Sequence, residues 1–198
     1  MLSRSAGNEP IRRSGAKVGD SICVTGSLGG AGYGRHLKFE PRVKEAIKIA
    51  EMVTIHSMLD ISDGLSSDLN RICHQSKVGA IIYAEQIPIS DAARKSRDPL
   101  SAVLNDGEDF ELLFTLAPKD CETLLKNWTG PVPITRIGVI TDTKKMKIKM
   151  KKIILITTLV LSLLTPIMIQ PGQAAEQVST KRLIISAPDS VHDGDSFT

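Results

Sequence analysis

Cysteine is too sparse and too scattered in this chain to carry covalent or metal chemistry. Cys23, Cys73 and Cys121 are odd in number, far apart and in no metal-ligand spacing, which argues against a disulfide framework or a zinc site and fits reduced, buried thiols. A spread basic surface is also missing. The formal charge is +3, but six lysines stand at positions 144, 145, 147, 149, 151 and 152, and setting those six aside turns +3 into −3. A nucleic-acid partner is therefore not expected, because its footprint would cover a folded face and not one short run. Neither standard nucleotide fingerprint is present: the glycines at 26, 29, 30, 32 and 34 lead to no Gly-Lys-Ser/Thr ending and form no G-x-G-x-x-G. Disorder is excluded by a hydrophobic content of 41% over 198 residues, enough for a real core.

What the chain does have is a dense polar stretch, Asp60-Ile61-Ser62-Asp63-Gly64-Leu65, continued by Ser66-Ser67-Asp68-Leu69. Three carboxylates and three hydroxyls gather there, between two apolar patterns. Mg2+ takes oxygen ligands, and Asp60 and Asp63 beside a permissive glycine can turn toward one ion. We read the stretch as a metal and phosphate site. The plainer alternative makes Asp63 a helix N-cap and Asp60 a turn residue.

Along the chain, Ser21–Thr25 reads as a short buried strand and the glycine-rich stretch as a loop after it. Pro41 to Ser57 reads as a helix, with Val43, Ile47, Ala50 and Val53 or Thr54 on one face. A second helix is expected from near Gly64 to before Ser76, on the spacing of Leu65, Leu69 and Ile72. The acidic turn would then lie at a helix N-terminus, which favours anions. Residues 78 to 83 read as a strand, residues 91 to 104 as an interrupted helical stretch, and Pro118 to Trp128 as a helix. Asn105-Asp106-Gly107-Glu108-Asp109 is an acidic turn leading into a strand through Thr115; two further strands are expected at 132–134 and 137–140. This alternation predicts an α/β (α+β) domain with a mixed sheet and packed helices, followed by a hydrophobic C-terminal helix.

Residues 3 to 141 resemble the C-terminal half of thiamine-monophosphate kinases, in the aminoimidazole ribonucleotide synthetase superfamily. The matching segments are Arg13-Ser14-Gly15-Ala16-Lys17-Val18-Gly19-Asp20, Val24-Thr25-Gly26-Ser27-Leu28-Gly29, Pro41-Arg42, Asp60 through Leu65, Ile87-Pro88, and Gly107 through Thr115. The resemblance implies ATP-dependent phosphorylation of thiamine phosphate to thiamine diphosphate. It implies Asp60 and Asp63 as magnesium ligands, Arg13 and Ser62 as ATP contacts, and Glu108 as a thiamine phosphate contact. It also implies a homodimer, and an N-terminal domain that supplies further metal ligands and much of the ATP pocket but has no counterpart here. The family's closing segment, with an aromatic residue near the substrate ring, has no counterpart after Ile140 either. Two other readings stand beside it: a non-catalytic, membrane-tethered binding module, and another enzyme of the superfamily such as selenophosphate synthetase or the hydrogenase maturation dehydratase.

From residue 143 the character changes. A lysine-rich run, the apolar residues 153–169 and Pro171-Gly172-Gln173-Ala174-Ala175 have the layout of a signal peptide or a membrane anchor. Residues 176–198 loosely resemble the start of a secreted immunoglobulin-like domain, with Asp193 and Asp195 in an expected solvated turn. The domain organisation expected is thus a cytoplasmic 1–142, a targeting segment 143–175 and a truncated 176–198.

Overall fold

Ser21–Thr25 (β1) is buried at every position, as a central strand covered on both faces must be. The computed structural model describes residues 10–150 apart from Arg35, His36 and Lys38. After β1 come α1 (Val43–Met52), β2 (Ile55–Asp60), α2 (Leu65–Ser76), β3 (Gly79–Tyr83), α3 (Pro99–Asn105), β4 (Leu112–Leu116), α4 (Pro118–Asn127), β5 (Ile134–Thr141) and β6 (Met146–Lys149). The six strands form one mixed sheet in the order β2-β4-β1-β5-β3-β6, antiparallel throughout except for the parallel β3–β6 pair.

The period-two alternation of the strands divides the core. Ile22 and Val24 of β1 and Leu113 of β4 pack with Leu65, Leu69 and Ile72 of α2 and Val103 of α3. Cys23 and Phe114, one residue along, pack with Ile49 of α1 and Cys121 and Leu124 of α4. Helices therefore cover both faces, and the mixed α/β architecture read from the sequence is the one observed. The three cysteines are free and buried, and the thiols of Cys23 and Cys121 meet at 3.5 Å.

Three elements differ from expectation. The helix expected from Pro41 to Ser57 stops at Met52, because Val53, Thr54 and Ile55 crowd the helical χ1 well and favour extended backbone. Ile55 then starts β2, which pairs with β4. The helix is also rotated relative to the expected face: Ile49 is buried, whereas Val43 and Ile47 are 61% and 46% exposed. Arg42, just before the helix, is anchored to Glu111.

In place of the two strands expected at 132–134 and 137–140 there is one, β5, which begins at Ile134 and leaves Val132 and Pro133 outside it. Thr135 and Arg136, which separate the two apolar runs, pair with Val24 and Cys23 as part of the strand, and the register against β1 shifts between Ile22 and Cys23, where Ile137 is the extra residue. Beyond residue 142, where the sequence reading ended the domain, part of the lysine-rich run is a strand of the sheet. Met146 and Ile148 pack against the core and Lys147 and Lys149 are exposed, which suits an edge strand that must not pair with another chain. The compact unit closes at Met150. Among the described residues no helix is long and apolar enough to cross a membrane. The expected apolar segment 153–169 and the sequence after it lie outside the described residues.

The contrast along β6 is testable. Ile148→Asp is expected to cost about 1–2 kcal/mol in urea unfolding, part of the value of burying such a side chain, and Lys147→Asp is expected to be close to neutral. Equal losses would show that β6 does not alternate as described.

Candidate functional site

The antiparallel pairing of β1 with β4 and β5, and of β2 with β4, gathers one end of each strand at one edge of the sheet. Thr25 pairs with Ile134, Val24 with Leu113, and Asp60 with Leu112. Asp60 is thus at the exposed end of a strand, not at the end of a helix. From there the chain turns through Ser62 and Asp63 into α2.

That turn is fastened to the segment entering β4. Ile61 donates its N–H to the Glu111 carbonyl, Phe110 to the Ile61 carbonyl and Glu108 to the Ser62 carbonyl, each at 2.8 Å. Two glycines permit the approach. A Cβ on Gly107 (φ +70°) would lie 2.5 Å from the Ser62 carbonyl oxygen, and one on Gly64 (φ +97°) 2.7 Å from the Leu104 carbonyl oxygen. The two acidic segments picked out in the sequence are therefore one structure.

Asp63 is not the helix cap. The N-cap position is Gly64, with no side-chain cap, and the buried carboxylate of Asp68 reaches back to accept the N–H groups of Ser62 and Asp63 at 2.9 Å. Arg71 bridges Asp68 and Asp63. The hydrogen bond to Asp63, followed by the nearby charge of Asp68, raises the Arg71 pKa.

On the β4 side the residues alternate. Glu108 is exposed, Asp109 is buried and accepts the Gly29 N–H at 2.6 Å, and Glu111 is buried. Glu111 takes two bonds from Arg42, at 2.8 and 2.9 Å, and one from the Thr25 hydroxyl at 2.8 Å. The hydrogen bonds that Arg42 donates to Glu111 raise the Arg42 pKa against the opposing effect of burial. The Gly29 amide, part of the glycine-rich loop, is thus committed to Asp109.

A cleft of about 570 Å³ lies beside Asp60 and is lined also by Arg12, Arg13, Ser14 and Gln75. The Arg12 carbonyl accepts the Met58 N–H, and the Ser76 hydroxyl accepts the N–H groups of Gly15 and Ala16, so the arginine segment is tied to β2 and α2. Of the residues expected from the sequence, Arg13 and Asp60 share this cleft. Ser62 and Glu108 meet through their backbones, and Asp63 stands at the helix start in its ion pair with Arg71.

Asp68 and Asp109 were noted only as members of their acidic stretches, and sequence reasoning assigned no role to Arg71, Arg42, Thr25 or Glu111. One signal was available: Glu111 falls inside the apolar run Phe110 to Phe114, and an acid carried into a core requires a partner. Among the described residues, no group of three or more His, Cys, Asp or Glu side chains converges as a metal centre.

This geometry defines an α/β domain with two joined acidic turns beside an arginine-bearing cleft. The chain belongs to the family described as AIR synthase related protein, C-terminal domain, whose pattern matches residues 17–151. It is 44% identical over 135 residues to the thiamine-monophosphate kinase of Rhodopirellula baltica, a match covering 66% of this chain and 42% of that one. Its fold resembles the thiamine-monophosphate kinase of Stenotrophomonas maltophilia, with a TM-score of 0.59 at 30% identity over 70% of this chain and 52% of that one. It also resembles AaThiL complexed with AMPPCP and TMP, with a TM-score of 0.56 at 26% identity over 72% of this chain and 52% of that one. The chain spans about half the length of the relatives it matches.

The two ion pairs should respond differently to truncation. Arg42→Ala leaves the buried Glu111 carboxylate without its counterion and is expected to cost about 3 kcal/mol or more in urea unfolding. Arg71→Ala is expected to cost about 1 kcal/mol or less, because Arg71 and Asp63 are exposed and Asp68 keeps its two backbone donors. The opposite order would contradict the burial described.

Proposed function

We propose that this chain supplies one half of the site of an ATP- and Mg2+-dependent kinase that converts thiamine phosphate to thiamine diphosphate. The observation that carries this reading is the fastening of the Asp60–Gly64 turn to the Gly107–Glu111 turn beside the Arg13 cleft. The 44% identity to a thiamine-monophosphate kinase supports it.

In the reaction proposed, a phosphate oxygen of thiamine phosphate attacks the γ-phosphorus of ATP. A new P–O bond forms, the bond to the β,γ-bridging oxygen breaks, and ADP leaves with that electron pair. Such a transfer needs no protein nucleophile, only alignment of the two phosphates and neutralisation of their charge. Arg13 suits phosphate oxygens as a permanent planar cation. Ser62 is proposed as a further ATP contact. Glu108, exposed and pinned through its amide, offers a carboxylate to the substrate's amino group or cationic ring.

Asp60 and Asp63 are the proposed magnesium ligands. Their exposed carboxylates fit a hard cation that takes one or two protein oxygens and completes its shell with phosphate and water. Arg71 would give up Asp63 when the ion is held. Bound there, Mg2+ supplies charge neutralisation at the phosphates. The rest of the site is proposed to come from the half of its relatives that this chain does not match.

The test is to incubate the purified chain with ATP, Mg2+ and thiamine phosphate, alone and with the separately produced N-terminal half of the Rhodopirellula baltica relative. Thiamine diphosphate is expected in the mixture, falling by at least about tenfold in Asp60→Asn, a loss of about 1.4 kcal/mol. No product in the mixture, or the same rate with Asp60→Asn, would contradict the proposal.

A further inference from the structure

The cysteines are too scattered in the sequence to suggest covalent chemistry, yet folding brings two of them together. Cys23, on the central strand β1, and Cys121, in the first turn of α4, stand 98 residues apart, and their sulfurs meet at 3.5 Å. We propose that these two thiols form a site of reversible oxidation: a hydroperoxide converts them to an intramolecular disulfide that ties α4 to the centre of the sheet, and a thiol reductant restores them. The site uses no residue of the acidic turns and stands without the kinase reading.

Packing sets the pair. Alternation along β1 turns Ile22 and Val24 toward α2 and Cys23 toward the other face, where it lies with Ile49, Phe114 and Leu124, and Cys121 enters that layer from α4. A disulfide holds its sulfurs at about 2.05 Å, so these two must close by about 1.5 Å, which side-chain rotation and a small shift of the helix supply. Cys73 is the contrast. It is buried in the core layer on the opposite face of the sheet, out of reach of both. Pro118, Lys119 and Glu122 beside Cys121 are exposed, so fraying of this helix end admits a molecule as small as a hydroperoxide.

The contact between the thiols also decides which reacts first. The Cys23 thiol, donating its hydrogen bond, lowers the Cys121 pKa against burial, with the charge of Arg136 assisting and that of Glu122 opposing. The same bond and burial raise the Cys23 pKa. Burial without a thiol partner pushes Cys73 up to about 11. Because the thiolate is the nucleophile, Cys121 attacks and Cys23 follows. The Cys121 sulfur takes the terminal oxygen of the hydroperoxide, the O–O bond breaks, and the alkoxide or hydroxide leaves and is protonated. The Cys23 sulfur then attacks the sulfenic acid at Cys121: the S–S bond forms, the S–O bond breaks, and the oxygen departs as water with the Cys23 proton. The two sulfurs together lose two electrons, and the peroxide gains them.

The test is to treat the purified full chain with hydrogen peroxide, block the remaining thiols in denaturant and map the cysteines by peptide mass spectrometry. A linked Cys23–Cys121 peptide is expected, with Cys73 still free, together with a higher midpoint of urea unfolding that dithiothreitol reverses. In Cys121→Ser, oxidation of Cys23 is expected to slow by at least about tenfold, since the lower-pKa thiol is gone; in Cys73→Ser the linked peptide is expected unchanged. Mapping of the unaltered chain decides the matter even where Cys121→Ser does not fold. Three thiols intact after treatment, Cys73 oxidised as fast as the pair, further oxidation of Cys121 without a link, or a disulfide between chains would each overturn the proposal.

Discussion

Three backbone hydrogen bonds between residues 61–62 and residues 108–111 are the constraint on which this structure depends. They join the end of an edge strand to the start of an inner one, and Gly107 lets the two backbones pass closer than a Cβ allows, as Gly64 does against the end of α3. Once the two segments are joined, their side chains have little choice. Alternation carries Asp109 and Glu111 inward and leaves Glu108 and Phe110 on the other side, while Asp60 and Asp63 stand exposed at either end of the turn.

Buried acids then organise the surroundings. Asp109 holds the glycine-rich loop through the Gly29 amide, Glu111 holds β1 through Thr25 and α1 through Arg42, and Asp68 fixes the start of α2. A carboxylate taken out of water must be met by donors, and each of these meets donors from a different element. Rigidity at this edge therefore comes from polar contacts as much as from the apolar core beneath. Such an edge would hold the charged groups of the proposed site in place with little rearrangement.

Much of this was legible in the sequence where a single force dominates. Ser21–Thr25 and Leu112–Leu116 read as strands because both are buried with β-type residues, and the 65–69–72 spacing marked α2 because its apolar face meets the sheet. The misses arise where tertiary partners overrule local pattern. Val43 and Ile47 have helix-core spacing but face outward, and Arg42 beside them is held by Glu111 at the entry to β4. The lysines at 147 and 149 look like a charged flank, yet Met146 and Ile148 between and before them find a place on β3. The alternative that made Asp63 a helix cap does not hold either: Gly64 occupies the N-cap position without a side-chain cap, and Asp68 reaches back from within the helix to the turn before it. The two acidic segments stood out by composition, but their joining is a long-range contact that no local pattern encodes.

The most direct test of this account is hydrogen exchange at the joined amides in Gly107→Ala, whose added methyl would meet the Ser62 carbonyl at 2.5 Å. If the junction is one cooperative unit, the amides of Ile61, Glu108 and Phe110 lose protection together, while Cys23 and Val24 of the central strand stay protected. Loss confined to Glu108, with Ile61 as protected as before, would mean that the two acidic turns are independent and that the account is wrong.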